Sequence, residues 1–108
     1  ISGDDATALP TVLLGGDGTI SVLGQAFPER YSRMIRQGLE GNYKQANTIQ
    51  YQLLEVMELI FKEGNPVGIK ALLTLLEIIN TPKVRLPLVS ATEGLQRELK
   101  TYLEYMKK

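Results

Sequence analysis

The N-terminal part of the chain has the order strand, helix, strand, and this order limits the possible folds more than any other feature. Residues 1–3 form a short apolar run, a brief helix is predicted over residues 5–14, and residues 18–23 are predicted as a β-branched strand bounded by glycines. Strands joined through a helix pair in parallel, but two strands cannot form a stable parallel sheet. We therefore expect further strands N-terminal to Ile1 and an α/β fold larger than this chain.

The glycine content and the periodicity of the sequence change at about Asn42. Before it the chain is glycine-rich and strand-like between turns, and after it helical periodicity dominates. Two regions are therefore predicted, residues 1–41 and residues 42–108, with most of the chain helical. From proline and capping-box patterns, helices are predicted to begin near Pro28, Asn42, Val67 and Ser90. The third of these is predicted to run to Ile79, and Gly41 and Gly64 are predicted to end the first two.

Composition excludes several classes of chemistry. The chain has no Cys and no His, so disulfides, thiolate catalysis, His-based triads and the usual zinc ligand sets are excluded, and we predict no metal and no cofactor. Its 12 basic and 12 acidic residues balance, which gives no electrostatic reason to bind nucleic acid or an anionic membrane. The apolar runs are too short to span a bilayer. A soluble, cytoplasmic protein is expected.

Three features could carry chemistry, and each has a structural alternative. Asp4 and Asp5 follow a predicted strand, where α/β folds bind ligands, but the alternative that Asp5 caps the next helix and Asp4 is solvated is favoured. The glycines at 15, 16 and 18 lie between a helix and the next strand, which favours a tight turn over a phosphate loop. Lys70 is in an apolar helix, but it lies on the same face of that helix as Thr74 and Glu77. This favours a solvent-exposed polar edge over a Schiff-base lysine.

The chain resembles the dihydrodipicolinate synthase and N-acetylneuraminate lyase superfamily along its whole length. The matching segments are Ser-Gly-Asp-Asp-Ala at 2–6, Leu-Gly-Gly-Asp-Gly-Thr-Ile-Ser-Val at 14–22, Asn-Pro-Val-Gly-Ile-Lys at 65–70 and Arg-Leu-Pro-Leu at 85–88. The first two are similar to the synthase branch, because sialate lyases more typically have an aromatic residue at the position of Asp4 and an acid at the position of Ala6. Gly68 departs from the second proline of the family segment.

The resemblance implies the C-terminal part of a (β/α)8 TIM barrel. Residues 1–41 would supply the last two β/α units and residues 42–108 a C-terminal helical domain, within a homotetramer built as a dimer of dimers. The implied enzyme is a class I aldolase-type lyase of lysine biosynthesis. It condenses pyruvate with L-aspartate-4-semialdehyde through a lysine Schiff base.

The resemblance places the catalytic lysine upstream of Ile1, so no catalytic residue is expected in this segment, and we predict that the chain alone is inactive. The implied substrate-binding residues are Ile20, through its backbone carbonyl, Gly3, through its lack of a side chain, and Asp4, near the semialdehyde pocket. Two alternatives remain. The parent could be another pyruvate-dependent aldolase, such as an N-acetylneuraminate or keto-acid lyase, or the chain could be a non-catalytic helical interaction module.

Overall fold

The computed structural model describes residues 1–107, which fold into five α-helices and one turn of 3-10 helix. The α-helices are α1 (Ala8–Leu13), α2 (Pro28–Leu39), α3 (Tyr43–Lys62), α4 (Val67–Leu75) and α5 (Glu93–Met106), and the 3-10 helix is Leu23–Gln25. In this part of the chain no helix is both long and apolar enough to cross a membrane.

The chain divides into two compact units, Ile1–Met57 and a second unit that begins at Glu58. The boundary predicted between residues 41 and 42 is of a different kind, because it separates β/α barrel units from a helical domain. It stays a prediction.

In the first unit, α1 packs against α2. Gly38 permits the close approach, because a Cβ built there would lie 2.7 Å from Cδ1 of Leu9 and 3.3 Å from Cγ1 of Val12. Pro28 occupies the first turn of α2, as predicted, and Gly41 follows its end with a φ of 81°. The largest fully buried apolar side chains of this unit are Leu9, Leu23, Met34, Leu53, Val56 and Met57.

The strand predicted over residues 18–23 is wrong for most of its length. A single parallel bridge pairs Ser2 with Thr19. Beyond Ile20 the backbone turns into the 3-10 helix at Leu23, because the N–H of Leu23 donates to the carboxylate of Asp5 at 2.9 Å rather than to a neighbouring strand. The predicted helix over residues 5–14 is also shorter and forms only over Ala8–Leu13.

In the second unit, α4 packs against α5. α4 ends at Leu75 and not at Ile79 as predicted, because Glu77 adopts a left-handed φ of 61° that stops the helix. α5 begins at Glu93, with Thr92 as its N-cap accepting from the N–H of Leu95 at 3.2 Å. The predicted cap at Ser90 is therefore wrong by two residues.

Candidate functional site

The parallel bridge brings Gly3 and Ile20 next to each other. The N–H of Ser2 donates to the carbonyl of Gly18 and the N–H of Ile20 donates to the carbonyl of Ser2, both at 2.9 Å. Gly3 and Ile20 each follow a bridged residue, so they extend from the same end of the parallel pair. That is the end where α/β folds place their ligand sites.

Both of these residues are open to solvent. The Ile20 side chain is 76% exposed. A Cβ built at Gly3 would meet no atom within 4 Å. Their exposure leaves room for a ligand beside the backbone, but the substrate-binding roles of Ile20, Gly3 and Asp4 stay predictions.

The sequence expectation for the two neighbouring aspartates is confirmed for Asp4, which is exposed, and wrong for Asp5, which is buried. Asp4 is the exposed one, and its Oδ2 accepts from the N–H of Thr7 at 3.1 Å and from its hydroxyl at 2.9 Å, which holds the turn before α1. Asp5 does not cap that helix. It is 1% exposed and faces the segment that follows Thr19.

The Asp5 carboxylate is satisfied by donors from that segment. The hydroxyl of Ser21 donates to Oδ1 and the N–H of Leu23 donates to Oδ2 at 2.9 Å. The Ser21 oxygen in turn accepts from the N–H of Gly24 at 2.8 Å. A buried carboxylate requires such donors, because an unpaired charge in the interior is very costly.

Tyr31 of α2 completes this cluster by donating its hydroxyl to the backbone carbonyl of Asp5 at 3.2 Å. Burial, and then the negative charge of Asp5, raises the pKa of Tyr31 above its ordinary value, so the phenol remains a neutral donor. This cluster could not be predicted from local patterns in the sequence, because Ser21 and Tyr31 are 16 and 26 residues from Asp5. The only available signal was the presence of Ser21 inside an otherwise apolar run.

A cleft of about 410 Å³ lies beside the cluster in the first unit. Its wall carries the side chains of Thr19, Ser21, Tyr31, Ser32 and Arg36. Ile20 and Gly3 are not among its lining residues, although Thr19 and Ser21, on either side of Ile20, are.

The other candidates take the structural roles favoured by their patterns. Lys70 donates its ammonium group to the carbonyl of Lys83 at 3.0 Å at the exposed edge of α4. Gly15 has a φ of 108° and follows the end of α1, as expected for a glycine that terminates a helix. Within residues 1–107, no group of acidic side chains is arranged to hold a metal ion.

Two segments paired in parallel through an intervening helix, followed by a helical region, define part of a parallel α/β protein. A model of the Dihydrodipicolinate synthetase family matches residues 1–106, and the chain belongs to this family.

Similar proteins agree with this assignment. The 4-hydroxy-tetrahydrodipicolinate synthase of Flavobacterium psychrophilum is 40% identical over 108 residues, which is all of this chain and 36% of that protein. A monomeric dihydrodipicolinate synthase variant is 31% identical with a TM-score of 0.92, covering 98% of this chain and 35% of the solved one. The chloride-inhibited dihydrodipicolinate synthase from Acinetobacter baumannii, complexed with pyruvate, is 33% identical with a TM-score of 0.89, covering 95% and 35%.

The chain therefore spans about a third of the length of the relatives it matches. The predicted fold class is confirmed: the chain has the fold of part of a (β/α)8 barrel with a helical region, and it is mostly helical. The predicted family is confirmed as well.

Proposed function

We propose that this chain forms the pyruvate-side wall of the active site in a class I aldolase-type lyase. The reaction would be condensation of pyruvate with L-aspartate-4-semialdehyde through a lysine Schiff base, as a step of lysine biosynthesis in the cytoplasm. The observation that carries the proposal is the parallel bridge from Ser2 to Thr19, which sets Gly3 and Ile20 side by side in a chain of this family. The pyruvate complex of the Acinetobacter baumannii relative supports the choice of substrate.

In this proposal the chain contributes mainly backbone. The carbonyl of Ile20 faces the bound pyruvate, and the missing side chain of Gly3 lets the substrate reach the ends of the paired segments. Asp4 lies towards the semialdehyde pocket, although its Oδ2 is already bound to Thr7. The imine lysine comes from outside these 108 residues.

A chimeric enzyme tests the proposal. The stretch of the Flavobacterium psychrophilum synthase that matches this chain would be replaced by residues 1–108, since the two align over all 108 residues. The expected result is condensation of pyruvate with aspartate semialdehyde, measured as kcat/KM for each substrate. A folded chimera that binds no pyruvate would contradict the proposal.

Gly3→Ala in the chimera tests the wall itself. The added methyl group meets nothing within 4 Å in this chain, so the fold should tolerate it. The substrate would meet it, and we expect kcat/KM for pyruvate to fall about tenfold, which corresponds to about 1.4 kcal/mol. Gly94→Ala is the matched control, since its Cβ would be 3.7 Å from Thr92 Oγ1 in α5, and kcat/KM should not change.

The chain alone should form no imine with pyruvate. Lys70 is the lysine in the most apolar helix, but its ammonium group donates to the Lys83 carbonyl at an exposed edge and does not face a buried site. Incubation of the chain with pyruvate and borohydride should leave its mass unchanged. A pyruvyl adduct on Lys70 would contradict this expectation.

The acceptor and the assembly are separate parts of the proposal. Turnover of a sialic acid or another keto acid by the chimera, in place of aspartate semialdehyde, would favour the alternative of a different pyruvate aldolase. The proposed assembly is a homotetramer built as a dimer of dimers. Sedimentation of the chimera tests this assembly, and the existence of a monomeric synthase variant makes a monomer the competing outcome.

A further inference from the structure

We propose that Asp5 is a positioning residue for the pyruvate site: its buried carboxylate fixes the backbone around Ile20 and so aims the Ile20 carbonyl at the substrate. This inference rests on the proposed function, because it assigns a purpose to the geometry of that carbonyl. Asp5 does not touch the substrate, and it acts through Ser21 and Leu23.

The peptide between Ile20 and Ser21 is held from both sides by one short segment. On the N-terminal side, the N–H of Ile20 donates to the carbonyl of Ser2 at 2.9 Å. On the C-terminal side, the hydroxyl of Ser21 and the N–H of Leu23 both donate to the Asp5 carboxylate. Residues 2–5 therefore anchor the Ile20 carbonyl at two points, and the same residues include Gly3 of the proposed wall.

The carboxylate is suited to this task because it is buried and accepts two strong hydrogen bonds. Hydrogen bonds to an ionised group are shorter and stronger than neutral ones, and burial at 1% exposure removes competing water. The hydroxyl of Tyr31 fixes the backbone of Asp5 itself from α2. The anchor is thus rigid, as preorganised binding groups must be for a carbonyl held against a ligand.

The arrangement also explains why no strand continues after Ile20. An extended backbone would direct the N–H of Leu23 to a neighbouring strand, whereas here Asp5 accepts it and the chain enters the 3-10 helix. The turn leaves Ile20 as the last residue bonded to the Ser2 bridge, with its side chain exposed. Asp5 therefore determines where the paired segment ends.

Substitutions in the full-length chimera test the inference. Asp5→Asn preserves size but presents an amide in place of one acceptor oxygen, so we expect the KM for pyruvate to rise about tenfold while the KM for aspartate semialdehyde stays the same.

Ser21→Ala removes one of the two donors and should raise the KM for pyruvate about threefold. Ser21→Thr restores the hydroxyl and should return the KM to its original value. Asp17→Asn, at an exposed aspartate of the preceding turn, is the matched control and should have no effect.

Hydrogen exchange gives a readout that does not depend on activity. Peptides covering residues 18–25 should exchange faster in Asp5→Asn and in Ser21→Ala, and at the original rate in Ser21→Thr and Asp17→Asn. If Asp5→Asn does not fold, the comparison of Ser21→Ala with Ser21→Thr carries the test.

The outcomes separate this inference from the proposed function. An active chimera in which both Asp5→Asn and Ser21→Ala leave the KM for pyruvate unchanged overturns the inference and leaves the proposed function standing. The same holds if Ser21→Thr is as impaired as Ser21→Ala. An inactive but folded chimera overturns the proposed function, and the role of Asp5 towards pyruvate with it. Unchanged hydrogen exchange over residues 18–25 in Asp5→Asn and Ser21→Ala would then overturn the anchoring role as well.

Discussion

Gly68 is a position where one missing methyl group decides how two helices meet. A Cβ built at Gly68 would lie 2.0 Å from the carbonyl oxygen of Ile60 and 2.7 Å from its Cα, so the start of α4 rests directly on the backbone of α3. The neighbouring atoms belong to the backbone and cannot rotate away. The sequence showed only that Gly68 departs from the proline of the family segment, and the contact gives the glycine a physical reason.

Gly68→Ala should destabilise the chain despite the better helix propensity of alanine. Relieving the overlap requires the two helices to move apart, and we expect a loss of about 3 kcal/mol in the free energy of unfolding. The measurement is urea denaturation followed by circular dichroism.

Gly94→Ala is the control for this prediction. Its Cβ would be in ordinary contact at 3.7 Å, so only helix propensity changes, and a gain of about 0.5 kcal/mol is expected. Equal effects of the two substitutions would contradict the explanation based on the Ile60 contact.

At the scale of the elements, three helices end with the same hydrogen-bond motif but not with the same residue. At the ends of α1, α2 and α4, the N–H of one residue donates to the carbonyl three residues before it. The N–H of the next residue donates to the carbonyl five residues before it, and the two bonds together form a Schellman motif. The left-handed residue is Gly15 after α1 and Gly41 after α2, but it is Glu77 after α4. A side chain at that conformation is strained, so α4 has the least favourable end of the three.

Glu77→Gly should therefore stabilise the chain. Removing the Cβ relieves the left-handed strain, and the expected gain is about 1 kcal/mol, measured as a higher denaturation midpoint with an unchanged slope. Gly41→Ala is the reverse substitution at the equivalent position of α2 and should cost about the same. If Glu77→Gly has no effect, the left-handed conformation carries no strain there.

The side chain of Glu63, just after α3, is hydrogen-bonded to the residue that caps the start of α5. Glu63 accepts from the N–H of Thr92 at 2.9 Å and from its hydroxyl, while the same hydroxyl oxygen caps α5. These bonds, first from the side chain and then from the backbone of Thr92, lower the pKa of Glu63.

This link should make the stability depend on pH in the acid range. A carboxyl group whose pKa is lower when folded stabilises the fold above its unfolded pKa, near 4.3, and the contribution is lost as the pH falls through the folded value. Glu63→Gln should flatten the decline of stability below about pH 4.5, measured by denaturation at a series of pH values. Glu40→Gln is a control at an exposed acid after α2. An acid decline that is unchanged in Glu63→Gln would show that the Thr92 bonds contribute little.

At the scale of the whole molecule, large apolar side chains are exposed to solvent in both units. In the first unit Leu14 is 91% exposed and Ile1 is 83% exposed, and in the second unit Leu86 is 89% exposed. The bridged segments at Ser2 and Thr19 also present backbone groups that further strands would pair. Both features agree with a chain that spans about a third of its relatives.

The isolated chain is therefore expected to self-associate. Sedimentation velocity should show species heavier than the 12.0 kDa monomer, because exposed apolar surface and unpaired strand segments favour association. Leu14→Ser should shift the distribution towards the monomer, and Asp17→Asn should not. A monodisperse 12.0 kDa chain with cooperative unfolding would favour the alternative of a free-standing helical module.

Local patterns in the sequence determined much of the helical architecture. Pro28, Gly41 and Gly64 mark real helix boundaries because each fixes or permits a backbone conformation by itself, without neighbours. The order of the motifs over residues 1–106 likewise determined the family. The early end of α4 was missed because a left-handed glutamate has no distinctive local pattern.

Only the tertiary structure decided the roles of the two aspartates and the fate of the predicted strand. Adjacent aspartates look alike in a sequence, and they differ because one faces Thr7 and the other faces Ser21, far along the chain. The strand after Thr19 stops at Ile20 for the same reason, since a buried carboxylate accepts the backbone N–H that a strand would need. Such contacts depend on groups brought together by folding, and periodicity along the chain does not encode them.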